Sequence, residues 1–196
     1  MLKRNIMLGL VLGLSAFSAS AENNASAEIL LGMADQEVSA NGSSASGDDV
    51  AFGIRGVMTL NKNVAAELSY HNYGEAEDTY VDEFGDTIND KLSTTAFNLG
   101  VKGILPLENG LSLNARVGVS FWDSEFEGTD SSAPGIIFKA DDDGTDLYYG
   151  IGAQYDINPN LYVGAEYTLT KMDISTVGIS ADFEVDNLSL SLGFKF

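Results

Sequence analysis

The chain has 196 residues, no cysteine, and a formal net charge of −19 from 29 acidic and 10 basic side chains. The length fits one domain, and the missing cysteines exclude a disulfide scaffold and a thiolate zinc site. The acidic excess excludes nucleic-acid binding by counterion release, which needs clusters of lysine and arginine.

The first 21 residues have the composition of a secretory signal peptide. Two basic residues precede an apolar run over residues 6–17, which is too short to span a bilayer as a helix. We expect cleavage after the small residue Ala21, so that Glu22 begins a mature barrel domain of residues 22–196 with a net charge of −21. An uncleaved N-terminal anchor is the alternative, but polar residues follow Ala21 directly.

Beyond this segment, apolar side chains recur at every second position, which is typical of β-strands with one apolar and one polar face. The last strand is the clearest, because leucine and phenylalanine alternate with small or polar residues up to Phe196. The expected strands cover about residues 27–36, 49–60, 64–73, 92–104, 111–122, 145–157, 161–171 and 188–196.

The connections alternate in length. Short turns fall at 61–63, 106–110 and 158–160, and long, mostly acidic loops fall at 38–48, 74–91, 123–144 and 172–184. Residues 174–183 can instead extend the last two strands as a hairpin. In outer-membrane barrels the short turns face the periplasm and the long loops face outside. We therefore predict an all-β, eight-stranded antiparallel up-and-down transmembrane barrel. The alternative is a soluble barrel with an apolar interior.

Several stretches carry a resemblance to a known family: Gly150–Thr168, Asn63–Tyr70, Leu99–Lys102, Ala115–Trp122 and Ser189–Phe196. They resemble the transmembrane domain of outer-membrane protein A and its small relatives, over the whole mature chain. The resemblance implies a lumen filled by side chains and a surrounding membrane of lipid and lipopolysaccharide. It also implies that the barrel-assembly machinery reads Ser189, Phe194 and Phe196.

The family's proposed ion gate is a salt-bridge switch of four residues. Glu67 and Lys102 match two of its positions, whereas Gln154 and Gly164 stand where the family has the other acid and base. Two of the charges that such a gate exchanges are thus missing. Longer members carry a peptidoglycan-binding domain after the barrel; this chain stops at Phe196, so we expect a barrel-only member.

Charged side chains also fall in mid-strand on the polar rows: Arg55, Glu67, Lys102, Arg116 and Glu166. An arginine or lysine facing lipid at mid-membrane would cost about 2–4 kcal/mol. We therefore expect these residues in the lumen as a paired network. The alternative is a gated ion path.

Two further features have a structural and a functional interpretation. His71 is the only histidine, and a hydrolase would need a serine or aspartate beside it; we predict a rim histidine, no catalytic site and no cofactor. The acidic run Asp141–Asp146 is expected to be a solvated loop, with weak Ca²⁺ or Mg²⁺ binding as the alternative.

Aromatic side chains at the outer ends of the strands are expected near the membrane interface, where amphipathic rings are common. Strict alternation would point Trp122 inward, so we expect a bulge there. The aromatic residues in question are Tyr73, Tyr80, Trp122, Tyr148 and Tyr149.

The functional prediction is a monomeric outer-membrane barrel without catalysis, with a structural or surface-interaction role. Its acidic outer loops are expected to contact divalent cations, lipopolysaccharide or cell surfaces. A small gated, porin-like ion channel through the lumen is the alternative.

Overall fold

The computed structural model describes residues 24–40, 43–176 and 179–196. Each strand pairs antiparallel with the next, and the first pairs with the last, so the sheet closes into a barrel. The predicted fold is confirmed. None of the described residues forms a helix long and apolar enough to cross a membrane. The strands are β1 (Ala25–Ala40), β2 (Ser43–Asn61), β3 (Val64–Val81), β4 (Thr87–Pro106), β5 (Leu111–Asp130), β6 (Ile137–Asp156), β7 (Leu161–Thr176) and β8 (Ile179–Lys195).

The apolar rows face outward, as predicted. On β8, Leu188 and Leu190 are 64% and 68% exposed, whereas Asn187 and Ser189 between and beside them are buried. The other strands show the same alternation, with large apolar side chains on the outer surface and polar ones inside. This orientation buries the apolar rows in lipid and excludes the alternative of a soluble barrel with an apolar interior.

The C-terminal residues close the barrel. Phe194 lies opposite Ala27 of β1, and the Phe196 N–H donates to the Ala25 carbonyl at 2.9 Å. The rings of Phe194 and Phe196 contact each other with centroids 5.4 Å apart, while Ser189 faces the lumen. Ala21 and Glu22, where we expect cleavage, lie outside the described residues.

The prediction of four long loops was wrong, because the strands continue well beyond the apolar rows. β3 and β4 leave a turn of only residues 82–86, and β5 and β6 leave only 131–136. The backbone ladder continues beyond the lipid-facing rows, so the outward apolar alternation that marked the strands in the sequence is lost there. The alternative of a hairpin over 174–183 is confirmed, since β7 runs to Thr176 and β8 begins at Ile179.

Three of the five predicted interface aromatics were misplaced. Tyr80 and Tyr149 are exposed, but Tyr73, Trp122 and Tyr148 point into the barrel. Trp122 pairs with Ala96 in regular register, without the expected bulge. A buried ring with a polar atom is stable where it finds a hydrogen-bond partner, and the lumen supplies such partners.

Side chains fill the interior in layers from the periplasmic to the outer end. The periplasmic half holds charged side chains, described below. Above them lies a group that we call the lumen apolar cluster, in which Trp122 meets Phe183 edge-on with ring centroids 6.4 Å apart. The cluster consists of Ala34, Ala51, Tyr73, Ala96, Trp122, Met172, Phe183 and Val185.

Candidate functional site

The predicted lumen charges lie together inside the barrel, all of them buried. A sixth charged residue, Glu28 of β1, joins them. Three carboxylates thus face three cations, so the formal charge of the group is balanced. We call this group the lumen charge network, and it consists of Glu28, Arg55, Glu67, Lys102, Arg116 and Glu166.

Arg55 is the centre of the network. Its two terminal nitrogens donate to both Glu166 oxygens at 2.6 and 2.7 Å, and one of them also donates to Glu28 at 2.8 Å. Paired donors that match both carboxylate oxygens form a strong, directional contact. Glu28 and Arg55 are cross-strand neighbours on β1 and β2, so the contact with Glu166 links this hairpin to β7 across the lumen.

Arg116 lies beside this pair and donates to Glu166 and, at 3.1 Å, to Asn114. The Nε atoms of Arg55 and Arg116 lie 3.8 and 3.7 Å from Glu67, too far for a hydrogen bond but close for two opposite charges. Glu67 instead accepts a hydrogen bond from the Tyr148 hydroxyl at 2.8 Å. Each carboxylate is therefore held by a cation, a hydroxyl or both.

Lys102 occupies the periplasmic side of the network. Its Nζ lies 3.1 Å from Gln154 Oε1 and 3.6 Å from Glu28, and the part of the chain that the structure describes contains no salt bridge between Lys102 and Glu67. Glu28 also accepts from the Tyr162 hydroxyl at 2.8 Å. The two residues that match the family's switch therefore have separate partners here.

His71 is not a rim residue, contrary to the prediction. Strand β3 extends well beyond it, so His71 is buried in the lumen and its ring stacks on Tyr73 with centroids 5.6 Å apart. Its Nε2 lies 3.0 Å from the Ser69 hydroxyl. A serine–histidine pair can form a nucleophile, but here both side chains are buried inside the barrel.

The acidic run Asp141–Asp146 lies within strand β6, not in a loop as predicted. Successive side chains of a strand point to opposite faces, so the run cannot converge on one cation. Asp146 points inward and accepts the Trp122 indole N–H at 2.7 Å. Within the described ranges, no group of three or more acidic or histidine side chains is arranged to hold a metal ion.

The sequence reasoning missed Glu28, Tyr148 and Tyr162. A usable signal for Glu28 existed, because it is out of phase with the outward residues Ile29 and Leu31 and so must point inward. The two tyrosines are also on inward positions, opposite Gly118 and Gly193 of neighbouring strands. Small residues on the facing strand leave the space in which a large ring can lie.

Comparison with known proteins gives one family and several structural neighbours. Residues 6–196 match the sequence model of the outer membrane protein beta-barrel domain. No curated protein sequence matches the chain.

Among solved structures, the Ail attachment invasion locus protein of Yersinia pestis, determined with the heparin analogue sucrose octasulfate, is 17% identical, with a TM-score of 0.54 over 88% of this chain and 99% of that one. Neisserial surface protein A is 15% identical and has a TM-score of 0.58, and the match covers 87% of this chain and 97% of that protein. OprG of Pseudomonas aeruginosa is 12% identical and has a TM-score of 0.58, and the match covers 89% of this chain and 97% of that protein. At these identities the likeness is one of fold.

Proposed function

The chain belongs to the outer membrane β-barrel protein family, and we propose that it is a closed, non-enzymatic barrel that contacts envelope molecules through its acidic outer end. Its place is the outer membrane. The observation that carries the proposal is the filled lumen. The lumen charge network is internally paired, and the lumen apolar cluster lies above it. Because the lumen is filled, envelope molecules would contact the accessible surface of the outer hairpins.

The filled lumen speaks against a pore. An eight-stranded barrel has an interior just wide enough for side chains, and here charged and apolar layers occupy it in turn. An ion passing through would have to separate charges that neutralise one another and then cross the apolar side chains around Trp122 and Phe183. Both steps are costly in a low-dielectric interior.

Planar-bilayer recording of the refolded barrel tests this part of the proposal. We expect no discrete conductance steps from protein whose folding is verified by heat-dependent gel mobility. Discrete steps that change in Lys102→Met would replace the proposal with the porin-like alternative.

The outward face of the barrel carries a row of aspartates just beyond the lipid-facing apolar residues. Asp35 of β1 lies opposite Asp48 of β2 on one side and Asp186 of β8 on the other. Like charges directly opposite one another across strands are destabilising. The row therefore favours a cationic partner.

Divalent cations that bridge this row to lipopolysaccharide phosphates are the partner that we propose. The carboxylates supply part of an oxygen shell, and Ca²⁺ or Mg²⁺ accepts phosphate oxygens as the rest. The described carboxylates form no complete metal site by themselves. The bridge therefore requires both the barrel and the lipid.

Urea unfolding in vesicles tests the bridge. We expect Mg²⁺ to raise the unfolding midpoint in vesicles containing lipopolysaccharide but not in phospholipid alone, and the increase to be smaller in Asp35→Asn. Glu108→Gln, on an exposed periplasmic turn, removes the same charge elsewhere and serves as the control. An equal Mg²⁺ response in Asp35→Asn and Glu108→Gln, or no response, would exclude the bridge.

A further inference from the structure

The outer end of the barrel contains a cavity of about 410 Å³. We call it the mouth cavity. Its walls come from strands β1 to β6, and Val38 and Leu92 at its base pack against the lumen apolar cluster. The cavity therefore lies directly above the layer that closes the lumen. Its volume is within the range of about 300–1,000 Å³ that is usual for small-molecule sites.

The walls of the mouth cavity are largely apolar. Besides Val38 and Leu92, they include Ala76, Phe126 and Ala140. These residues alternate with outward-facing ones on extended strands, so they form a fixed surface on the sheet. Such walls suit an apolar body.

The lining of this cavity includes a buried glutamine with one polar atom that has no partner. Gln36 lines the cavity and is only 1% exposed. Its Nε2 donates to the Tyr73 carbonyl at 3.3 Å, but its Oε1 has no hydrogen-bond partner among the described residues. A buried acceptor that lacks a donor destabilises the folded state. A ligand with a donor group would remove that cost.

Five acidic residues are in the lining of the cavity: Glu77, Asp78, Asp90, Asp141 and Asp142. Asp78 of β3 and Asp90 of β4 lie directly opposite each other, and both line the cavity. Burial and the neighbouring Asp78 charge raise the pKa of Asp90. Lys91, the lysine of the lining, binds Glu75 and Glu77 instead. Across the described ranges, no lysine or arginine lies within salt-bridge distance of Asp78 or Asp90.

We propose that the mouth cavity binds a small organic cation with an apolar body, such as an arylalkyl ammonium ion. The ammonium group lies at the Asp78–Asp90 pair, and the body packs on Leu92 and Phe126. The Phe126 ring adds a cation–π attraction, and Gln36 accepts a hydrogen bond from a donor group of the ligand. This site is independent of the lipopolysaccharide contacts proposed above, because its carboxylates face into the barrel and Asp35 faces outward.

The test uses 2-phenylethylammonium as the probe and the full barrel in nanodiscs of zwitterionic phospholipid. Trp122 is the only tryptophan and lies in the cluster that Val38 and Leu92 contact, so its emission reports on the base of the cavity. Amide shifts of the cavity-lining residues give a second readout. We expect saturable binding that weakens about tenfold in Asp90→Asn. Glu83→Gln, in the turn of the same hairpin, is the matched control and should bind as the parent does.

A second variant and two further ligands separate the alternatives. Ala140→Phe keeps every charge but fills part of the cavity, so we expect it to weaken binding as well. The neutral analogue 2-phenylethanol should bind much more weakly. Equal binding of 2-phenylethanol would show an apolar pocket without charge recognition, and Mg²⁺ binding that depends on Asp90 would show a metal site; either result overturns the proposal. So would equal affinities in Asp90→Asn and Glu83→Gln, or the absence of a saturable signal.

Discussion

Arg55 of β2 and Glu166 of β7 form a bidentate ion pair across the lumen, with nitrogen–oxygen distances of 2.6 and 2.7 Å. The pair joins strands that are not neighbours in the sheet. Backbone pairing links each strand only to the next, so this contact adds a connection through the interior. It also keeps two charges neutralised where water is largely excluded.

Removing one partner of this pair should be far more costly than removing a surface charge. We expect Arg55→Met to lower the free energy of unfolding by about 3–5 kcal/mol, because Glu28 and Glu166 lose their shared cation in a buried setting. Urea unfolding in phospholipid vesicles measures the effect. Lys62→Met, in an exposed turn, removes the same charge and should change stability by less than about 0.5 kcal/mol. Similar values for the two variants would contradict the structural role of the network.

The contact between Trp122 and Asp146 gives a second prediction. Asp146→Ala leaves the indole N–H without its acceptor in a buried site, which should cost about 1–3 kcal/mol. Asp143→Ala, on the outward face of the same strand, is the control and should have little effect. Equilibrium unfolding followed by Trp122 emission distinguishes the two. Equal stability of both variants would show that the indole is satisfied in another way.

The membrane-spanning part of the fold was predictable because lipid imposes one simple rule on it. Outward residues such as Leu188 and Leu190 must be apolar, and the period of two then fixes the strands, their number and the face of each residue. The same rule placed Arg55 and Glu166 inside. Trp122 shows that alternation was the better guide, since the preference of aromatic rings for the interface led to the wrong side.

Two features were beyond this rule. The outer extensions of β3 to β6 lie beyond the lipid-facing rows, so their outward positions carry no continuous apolar row, although the backbone pairing continues. The partners in the lumen depend on the tilt and register of the closed barrel, which the pattern of one strand does not contain. Arg55 and Glu166 are 111 positions apart, and nothing local in the sequence pairs them.

The opposed carboxylates Asp78 and Asp90 give a prediction on pH. The pKa of Asp90 is raised in the folded hairpin, so the folded state binds a proton more readily than the unfolded state. The pair therefore destabilises the hairpin above the raised pKa, and this cost disappears as the pH falls through it. We expect Asp78→Asn to stabilise the β3–β4 hairpin at pH 7 by about 0.2–1 kcal/mol and to have almost no effect at pH 3.

Amide hydrogen exchange in the β3–β4 hairpin is the suitable measurement, since this segment can open without unfolding of the barrel. Exchange rates are compared at each pH between Asp78→Asn and the parent, which removes the intrinsic pH dependence of exchange. Glu83→Gln in the adjoining turn is the control. A gain of protection at pH 3 equal to that at pH 7 would show that the effect does not come from charge repulsion.

The ring of Tyr148 lies over two glycines, and this close approach gives the last prediction. A Cβ atom at Gly100 would collide with the Tyr148 hydroxyl and would lie 2.9 Å from the Val117 carbonyl oxygen. Gly100→Ala should therefore displace the ring, break its hydrogen bond to Glu67 and cost about 1–3 kcal/mol.

The matched control is Gly103→Ala on the same strand. A Cβ atom there has only one contact, at 3.7 Å from the Ala115 carbonyl oxygen, so we expect unchanged or slightly higher stability, because alanine loses less backbone entropy than glycine on folding. Tyr148→Phe separates the two parts of the effect, since it removes the hydrogen bond to Glu67 without the steric conflict. Urea unfolding of the three variants in vesicles should rank Gly100→Ala as the least stable. If Gly103→Ala were equally destabilised, the loss would reflect glycine content in the strand and not the position of the Tyr148 ring.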